Sequence, residues 1–139
     1  MVTARMSWTG GKRFEGKSVF GHTIVTDTAK ESGGQESGYK PTELLLYAIA
    51  GCTGVDVVGI LQKQRQELTA LEIEVVGHQP DTYPKPYHTV EIKYRARGKN
   101  LDSQKVTQAV ELSMEKYCSV SQTVKCETKV TTAVEVILE

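Results

Sequence analysis

The sequence has no excess of charge of either sign and no cluster of basic residues. Its 17 Lys and Arg residues balance 17 Asp and Glu residues, so the formal net charge at pH 7 is zero. Proteins that bind nucleic acids usually carry a basic patch interleaved with aromatic side chains, because contacts to phosphates supply much of the affinity. The sequence contains no such run, and we therefore expect no nucleic-acid partner.

The N-terminal residues, MVTARM, lack the apolar segment of a signal peptide, and we therefore expect a cytoplasmic protein. One long apolar run occurs at residues 44–61, where Asp56 and three glycines interrupt it. This run only just reaches the length that a membrane-spanning helix needs. We therefore predict a buried core helix at this place, and no attachment to a membrane.

Cysteine is scarce, with Cys52, Cys118 and Cys126 as the only three. An odd number of cysteines without a signal peptide argues against a structural disulfide framework and indicates a reducing compartment. In such a compartment a free cysteine is either a small packing residue or a redox-active thiol. Composition and spacing alone favour packing for all three, with a Cys118–Cys126 bridge as a minor alternative.

Patterns for several other kinds of chemistry are also missing. The sequence contains no phosphate-binding glycine motif, no Ser-His-Asp signature and no cofactor-binding motif. His22, His78 and His88 do not have the spacing of metal ligands, and we expect them on the surface or in loops. We therefore predict neither a metal nor a cofactor.

The pattern of strands predicts an α+β fold with a mostly antiparallel sheet packed on two central helices. The length of 139 residues fits one domain, residues 1–139, and no linker divides it. Loose alternation broken by glycines over residues 2–28 indicates two or three short antiparallel strands. Further strands are predicted over residues 71–76, 88–96 and 129–138.

The first helix is predicted over residues 41–66, because proline suits the first helical position and the following residues are apolar on almost every side. Ala48, Cys52, Val55 and Gly59 would share one face, and such small residues allow another helix to approach closely.

The second helix should begin at Asp102 or Ser103, either of which is a good N-cap. Its apolar face is predicted to contain Val106, Val110, Met114 and Tyr117, and Cys118 follows it directly. If the two predicted helices pack against each other, Cys52 and Cys118 become neighbours.

Three segments carry a resemblance to a known family. They read PTELLLYAIAGC at residues 41–52, YRARGKNLD at 94–102 and AVELSMEKYCSV at 109–120. The first looks like the helix that carries the reactive cysteine in the OsmC/Ohr family of stress-linked thiol peroxidases. The third resembles the second cysteine motif of that family, and the middle segment resembles the strand and turn between the motifs. The resemblance covers nearly the whole chain and is closer to the OsmC-like branches than to the Ohr branch.

The family resemblance implies an OsmC-like fold, an intertwined homodimer and the reduction of small organic hydroperoxides. Cys52 would attack the peroxide and become a sulfenic acid, and Cys118 would condense with it to form a disulfide. A small dithiol or a lipoyl-type reductant would then restore both thiols by exchange.

The resemblance also implies a cation beside Cys52, because burial in apolar surroundings disfavours the thiolate that must attack. The family uses an arginine from the N-terminal region of the chain. The candidates in this sequence are Arg5 and Arg13, and Lys40 is an alternative.

Two acidic residues complicate this expectation. In the Ohr branch a glutamate directly follows the proline that starts the helix, whereas this chain has Thr42 there and Glu43 one position later. Glu43 is either the residue that organises the arginine or an acid that interacts with the helix dipole. Asp56, one turn after Cys52 on the same face, opposes thiolate formation unless it bonds a backbone group or a basic residue of a partner.

Two further functions stay open beside the peroxidase. One is a non-catalytic protein that binds a small hydrophobic ligand in an apolar pocket at the dimer interface, and the other is a structural dimer with inert cysteines. Thr42 and Asp56 favour the binding protein, whereas the two cysteine motifs favour the peroxidase.

Overall fold

The computed structural model describes residues 1–126, 131 and 133–135, and it shows an α+β fold. The chain forms two compact units. The first comprises Met1–Ala48 and Val75–Ile92, and the second comprises Ile49–Glu74 and Lys93–Glu139. The strand predicted over residues 129–138 falls largely outside the described residues, and both that strand and the single domain stay predictions.

The first unit begins with a three-stranded antiparallel sheet in the order β1-β2-β3. Its strands are β1 (Met6–Gly10), β2 (Arg13–Lys17) and β3 (Thr23–Thr26). Gly10 and Gly11 form the turn between β1 and β2 with φ angles of 114° and 54°, which glycine adopts without a steric penalty. The prediction of two or three short strands in this region is confirmed.

The loop after β3 is organised around the buried carboxylate of Asp27. This carboxylate accepts hydrogen bonds from the hydroxyl of Ser37 at 2.6 Å and from the backbone N–H groups of Thr28, Gln35 and Ser37 at 2.8–3.2 Å. The Ser37 hydroxyl, and then the Thr28 N–H group, stabilise the charged form and lower the pKa of Asp27 to about 2. The ionised carboxylate therefore holds this loop together.

The first helix, α1 (Pro41–Lys63), begins at the proline that predicts it. Glu43 closes its first turn, because Oε1 accepts the backbone N–H of Lys40 at 3.0 Å. The helix ends three residues earlier than predicted. Arg65 takes a left-handed conformation with a φ of 57°, and the N–H of Gln66 returns to the carbonyl of Leu61 at 2.9 Å.

The helix is apolar on almost every side and was predicted to be a buried core helix, but in the single chain it is less buried than predicted. Only Ile49, Thr53, Val57 and Leu61 are fully buried, and these four residues form a single stripe at intervals of four. On another face Val55 is 74% exposed. One helix face suffices to pack on the core, and within the described part of the chain the other apolar faces stay largely open. The length and composition of α1 would also suit a membrane span, but core helices of soluble proteins share these properties.

The second sheet pairs β4 (Ala70–His78) with β5 (Thr89–Arg97). Backbone hydrogen bonds from Thr69 to Arg97 and from His88 to His78, at 2.8 and 3.0 Å, join opposite ends of the strands, so the pair is antiparallel. Burial alternates along both strands, and the strands predicted over residues 71–76 and 88–96 are confirmed.

The core of the second unit consists of Val57, Leu61 and Ala109, with partly buried side chains packed around them. Ala109 belongs to α2 (Ser103–Leu112), whose N-cap is Asp102, as predicted. The carboxylate of Asp102 accepts the backbone N–H of Gln104 at 2.9 Å and so satisfies a free donor of the first turn.

The chain after α2 differs from the prediction. A turn of π-helix (Ser113–Tyr117) follows α2 directly, and the N–H of Cys118 bonds the carbonyl of Ser113 at 2.8 Å, five residues back. A third helix, α3 (Ser119–Lys125), then begins after Cys118. Because the π-turn is wound more widely than an α-helix, Tyr117 leaves the predicted apolar face and is 49% exposed, whereas Ser113 and Cys118 are fully buried.

Candidate functional site

Cys52 and Cys118 lie side by side in the second unit. Cys52 is half-buried on α1, Cys118 is fully buried between the π-turn and α3, and both are free thiols. The two side chains lie close enough for Cys118 to raise the pKa of Cys52. The structure therefore brings together the two cysteines that the sequence motifs single out.

The position of Cys118 follows from its place at the start of α3. Its sulfur caps this helix by accepting the backbone N–H of Ser121 at 3.4 Å, and the Ser121 hydroxyl lies 3.0 Å from the same sulfur. The first N–H groups of a helix have no partner within the helix. One of them, from Val120, lies close enough to Cys52 to lower the pKa of its thiol.

The surroundings of Cys52 oppose the formation of its thiolate. The N–H of Val120 has the largest single effect and lowers the pKa of Cys52. Three other influences raise the pKa, namely burial, the hydrogen bond and charge of Cys118, and the charge of Asp56. On balance the pKa of Cys52 lies above its ordinary value. A thiol in such surroundings is mainly protonated at neutral pH, so attack on a peroxide requires a further source of positive charge.

A chain of three hydroxyl groups runs beside the two cysteines and ends on a carboxylate. Ser113 Oγ donates to Asp56 Oδ2 at 2.8 Å, Ser113 Oγ lies 2.7 Å from Thr53 Oγ1, and Thr53 Oγ1 lies 2.8 Å from the Tyr94 hydroxyl. Each hydroxyl has one proton, and Ser113 gives its proton to Asp56. Thr53 must therefore donate to Ser113, and Tyr94 must donate to Thr53.

This hydroxyl chain is largely shielded from solvent, because Thr53 and Ser113 have no exposed surface. Burial, and the nearby charges of Cys118 and Asp56, raise the pKa of Tyr94 even though its bond to Thr53 acts the other way. The phenol therefore keeps its proton at neutral pH.

The sequence reasoning missed the contributions of Thr53, Tyr94 and Ser113. It expected Asp56 to bond a backbone group or a basic residue, whereas the structure shows a serine hydroxyl as its partner. Thr53 offered a signal, since it is a hydroxyl directly after Cys52 in an otherwise apolar stretch. Nothing local marks Ser113 or Tyr94.

The three other predicted site residues, Arg5, Arg13 and Glu43, belong to the first unit. Arg5 is exposed. The guanidinium of Arg13 lies 3.2 Å from the carboxylate of Glu15 and is thus engaged in a local ion pair. Glu43 caps the start of α1, which is the role of a first-turn acid. A role of these residues in activating Cys52 stays a prediction.

Several cavities open on the described surface, and two of them have mainly apolar walls. The larger, about 720 Å³, belongs to the first unit and lies against the N-terminal sheet. The smaller, about 230 Å³, belongs to the second unit and has Asp56 in its wall. Its other lining residues are mostly apolar, and they are Val55, Gly59, Ile60, Lys63 and Tyr117.

The three histidines belong to the first unit. His78 is 3.2 Å from Glu91, and its ring stacks on that of His88 within the first unit. Among residues 1–126, 131 and 133–135, no group of three His, Cys, Asp or Glu side chains could hold a metal ion. Cys126 is exposed at the end of α3.

The chain is similar to known proteins over most of its length. A sequence model of a family described as OsmC-like protein matches residues 33–133. The protein YhfA of Escherichia coli strain K12 is 34% identical over 136 residues, which cover 98% of each chain.

Two solved structures bear on the fold. A hypothetical protein from Aquifex aeolicus VF5 is 38% identical, with a TM-score of 0.79 over 90% of this chain and 87% of that one. An organic hydroperoxide resistance protein OsmC from Legionella pneumophila has a TM-score of 0.63 over 90% of each chain. Its identity of 17% means that this second likeness concerns the fold alone.

Proposed function

Because this chain belongs to the family of OsmC-like proteins, we propose that it is a thiol-dependent peroxidase that reduces organic hydroperoxides. The observation that carries the proposal is the adjacency of the Cys52 and Cys118 thiols. A relative of the same fold is named as an organic hydroperoxide resistance protein, which supports this choice of substrate. The protein would protect the cell against oxidative stress.

The proposed reaction has two steps on the protein. The Cys52 thiolate attacks the outer oxygen of the hydroperoxide, an S–O bond forms, the O–O bond breaks, and the leaving alkoxide takes a proton to become an alcohol. The sulfur of Cys118 then attacks the sulfenic acid of Cys52, an S–S bond forms and water leaves. The second step needs the two sulfurs to meet, and the closeness of the two thiols supports it.

A third step must return the disulfide to two thiols. We propose that a small dithiol or lipoyl-type reductant supplies the two electrons by thiol–disulfide exchange. The proposed compartment is the cytoplasm, where such reductants keep protein thiols reduced.

Activation of Cys52 requires a cation, since the contributions of its described surroundings raise its pKa on balance. We propose Arg5 or Arg13 as the source, with Lys40 as the alternative. Arg13 would have to exchange its contact with Glu15 for one with the active site. Glu43 would hold the chosen arginine in place.

A second candidate function is the binding of a small hydrophobic ligand without catalysis. Two observations favour it, namely the raised pKa of Cys52 and the mainly apolar cavity of about 230 Å³ that Asp56 borders. A protonated and half-buried Cys52 could serve in such a protein as an ordinary packing residue.

The two functions are distinguished by counting free thiols before and after one equivalent of cumene hydroperoxide, with mass spectrometry of the peptides. The peroxidase should rapidly form a Cys52–Cys118 disulfide, and Cys52→Ser should abolish the reaction. Cys126→Ser is the matched control, because that cysteine is exposed and should not affect the pair. Oxidation no faster than that of free cysteine would exclude the peroxidase and favour ligand binding.

A further inference from the structure

Asp56 places a fixed negative charge one helical turn from the reactive sulfur. Side chains four positions apart on a helix have Cβ atoms about 5–6 Å apart, and Cys52 and Asp56 have this spacing on α1. The hydrogen bond from Ser113 holds the carboxylate at 2.8 Å, and Ser113 itself is fully buried. This hydrogen bond therefore helps to keep the charge near Cys52.

The carboxylate of Asp56 is not neutralised by an ion pair within the region 1–126. The ion pairs there are those of Arg13 with Glu15, His78 with Glu91 and Arg95 with Glu72. Lys63 lines the same cavity as Asp56, but its nitrogen makes no ion pair with that carboxylate in the described structure. The remaining walls of this cavity are mostly apolar and do little to neutralise the charge of Asp56.

We propose that Asp56 determines substrate specificity, so that Cys52 reacts faster with uncharged hydroperoxides than with those carrying a carboxylate near the peroxide group. This inference rests on the proposed peroxidase function and adds the class of substrate. The cation that we propose for the activation of Cys52 balances the charge of the thiolate, so the charge of Asp56 remains. An anionic substrate meets this repulsion when its oxygen reaches the sulfur, whereas an uncharged alkyl or aryl hydroperoxide does not.

The expected size of the selection follows from Coulomb's law. For two like charges about 7 Å apart near a protein surface, the repulsion should slow the anionic reagent on the order of tenfold. Because ions screen exposed charges, the selection should weaken as the ionic strength rises.

A pair of alkylating agents tests this selection without any peroxide. Iodoacetamide is uncharged and iodoacetate is anionic, and both lose iodide when a thiolate sulfur attacks their methylene carbon. The measured quantity is the ratio of the two alkylation rates at Cys52, followed by peptide mass spectrometry. Asp56→Asn also changes the thiolate fraction of Cys52, but that change affects both rates equally and cancels in the ratio.

The expected result is that Asp56→Asn lowers the ratio of the iodoacetamide rate to the iodoacetate rate at Cys52 on the order of tenfold. The ratio at the exposed Cys126 serves as a reference within the same chain and should not change. Glu67→Gln, which removes one exposed acid after the end of α1, is the matched control. An unchanged ratio at Cys52 would overturn the inference.

The corresponding ratio for oxidation compares the rate at which cumene hydroperoxide oxidises Cys52 with the rate for its para-carboxylate derivative. A preference for the uncharged peroxide that Asp56→Asn removes would establish the substrate class. If Cys52 is alkylated selectively but neither peroxide oxidises it, the result contradicts the proposed peroxidase function. It then also contradicts the inferred substrate class. If Asp56→Asn fails to fold, the ratio of the two alkylation rates at Cys52 is measured in the wild type at low and at high salt. A ratio that does not depend on salt contradicts the proposed repulsion by Asp56.

Discussion

The hydroxyl of Ser113 donates a hydrogen bond of 2.8 Å to the carboxylate of Asp56, although the two residues are 57 positions apart in the sequence. This bond ties the π-turn to α1 beside both cysteines. It also sets the direction of the hydroxyl chain through Thr53 and Tyr94, because each hydroxyl has only one proton to donate.

Ser113→Ala should lower the free energy of unfolding by about 1–3 kcal/mol. The substitution removes the donor to the Asp56 carboxylate and the acceptor of the Thr53 proton, and unsatisfied buried polar groups have a cost of this size. Urea denaturation followed by circular dichroism measures the difference. Ser119→Ala, at an exposed serine, should change stability by less than about 0.5 kcal/mol. Equal effects of both substitutions would show that the hydroxyl chain adds nothing to stability.

Asp56→Asn should shift the reaction of Cys52 with iodoacetamide to lower pH. The negative charge of Asp56 is one of the causes that raise the pKa of Cys52, so its removal lowers that pKa and increases the thiolate fraction at neutral pH. Asparagine can still accept the hydrogen bond of Ser113, so the fold is kept. The measurement is the alkylation rate of Cys52 as a function of pH, and a midpoint that does not move contradicts the assigned charge effect.

Asp27 should make the stability of the protein depend on pH under acidic conditions. Its pKa is about 2 in the folded protein and lies near 3.8 in an exposed chain, so the unfolded state binds the proton more readily. The stabilisation is therefore fully present above about pH 5 and is lost as the pH falls through the folded pKa of about 2.

Urea denaturation at pH values between 5 and 2 tests the role of Asp27. Asp27→Asn should lower the free energy of unfolding at neutral pH. The free energy of unfolding of this variant should also fall less steeply than that of the wild type between pH 5 and pH 2. Asp81→Asn, at an exposed acid of the same unit, should leave the decline as it is in the wild type. A decline of the same steepness in Asp27→Asn would contradict the assignment.

Val55→Lys should convert the proposed homodimer into folded monomers. Val55 is 74% exposed in the single chain, and a Cβ atom added at Gly51 or Gly59 meets no neighbour within 4 Å in the described structure. An apolar face with small residues is suited to close packing against a second helix, and a buried lysine would oppose that packing. Sedimentation velocity measures the mass of the variant, and Gln62→Lys adds the same charge at the polar end of α1 as a control. A variant that stays dimeric would place the interface elsewhere.

Local features of the sequence were sufficient to predict much of the fold. The start of α1 at Pro41, the N-cap at Asp102 and the alternation along β5 depend on residues within a few positions of each other. The end of α1 and its exposure were predicted less well, because both depend on which other elements cover the helix. Apolar composition alone does not distinguish a face packed on the core from one that remains open.

The sequence by itself determined which residues are the candidates for the chemistry, since Cys52 and Cys118 lie in two recognisable motifs and Asp56 follows the first by one helical turn. Only the tertiary structure decided how these groups interact. The bonds that join Thr53 to Tyr94 and to Ser113 span 41 and 60 positions, and the π-turn that buries Ser113 and Cys118 replaces a regular helical turn. Helical and strand periodicity reports which residues share a face within one element, whereas the contacts of a site form only when separate elements pack together.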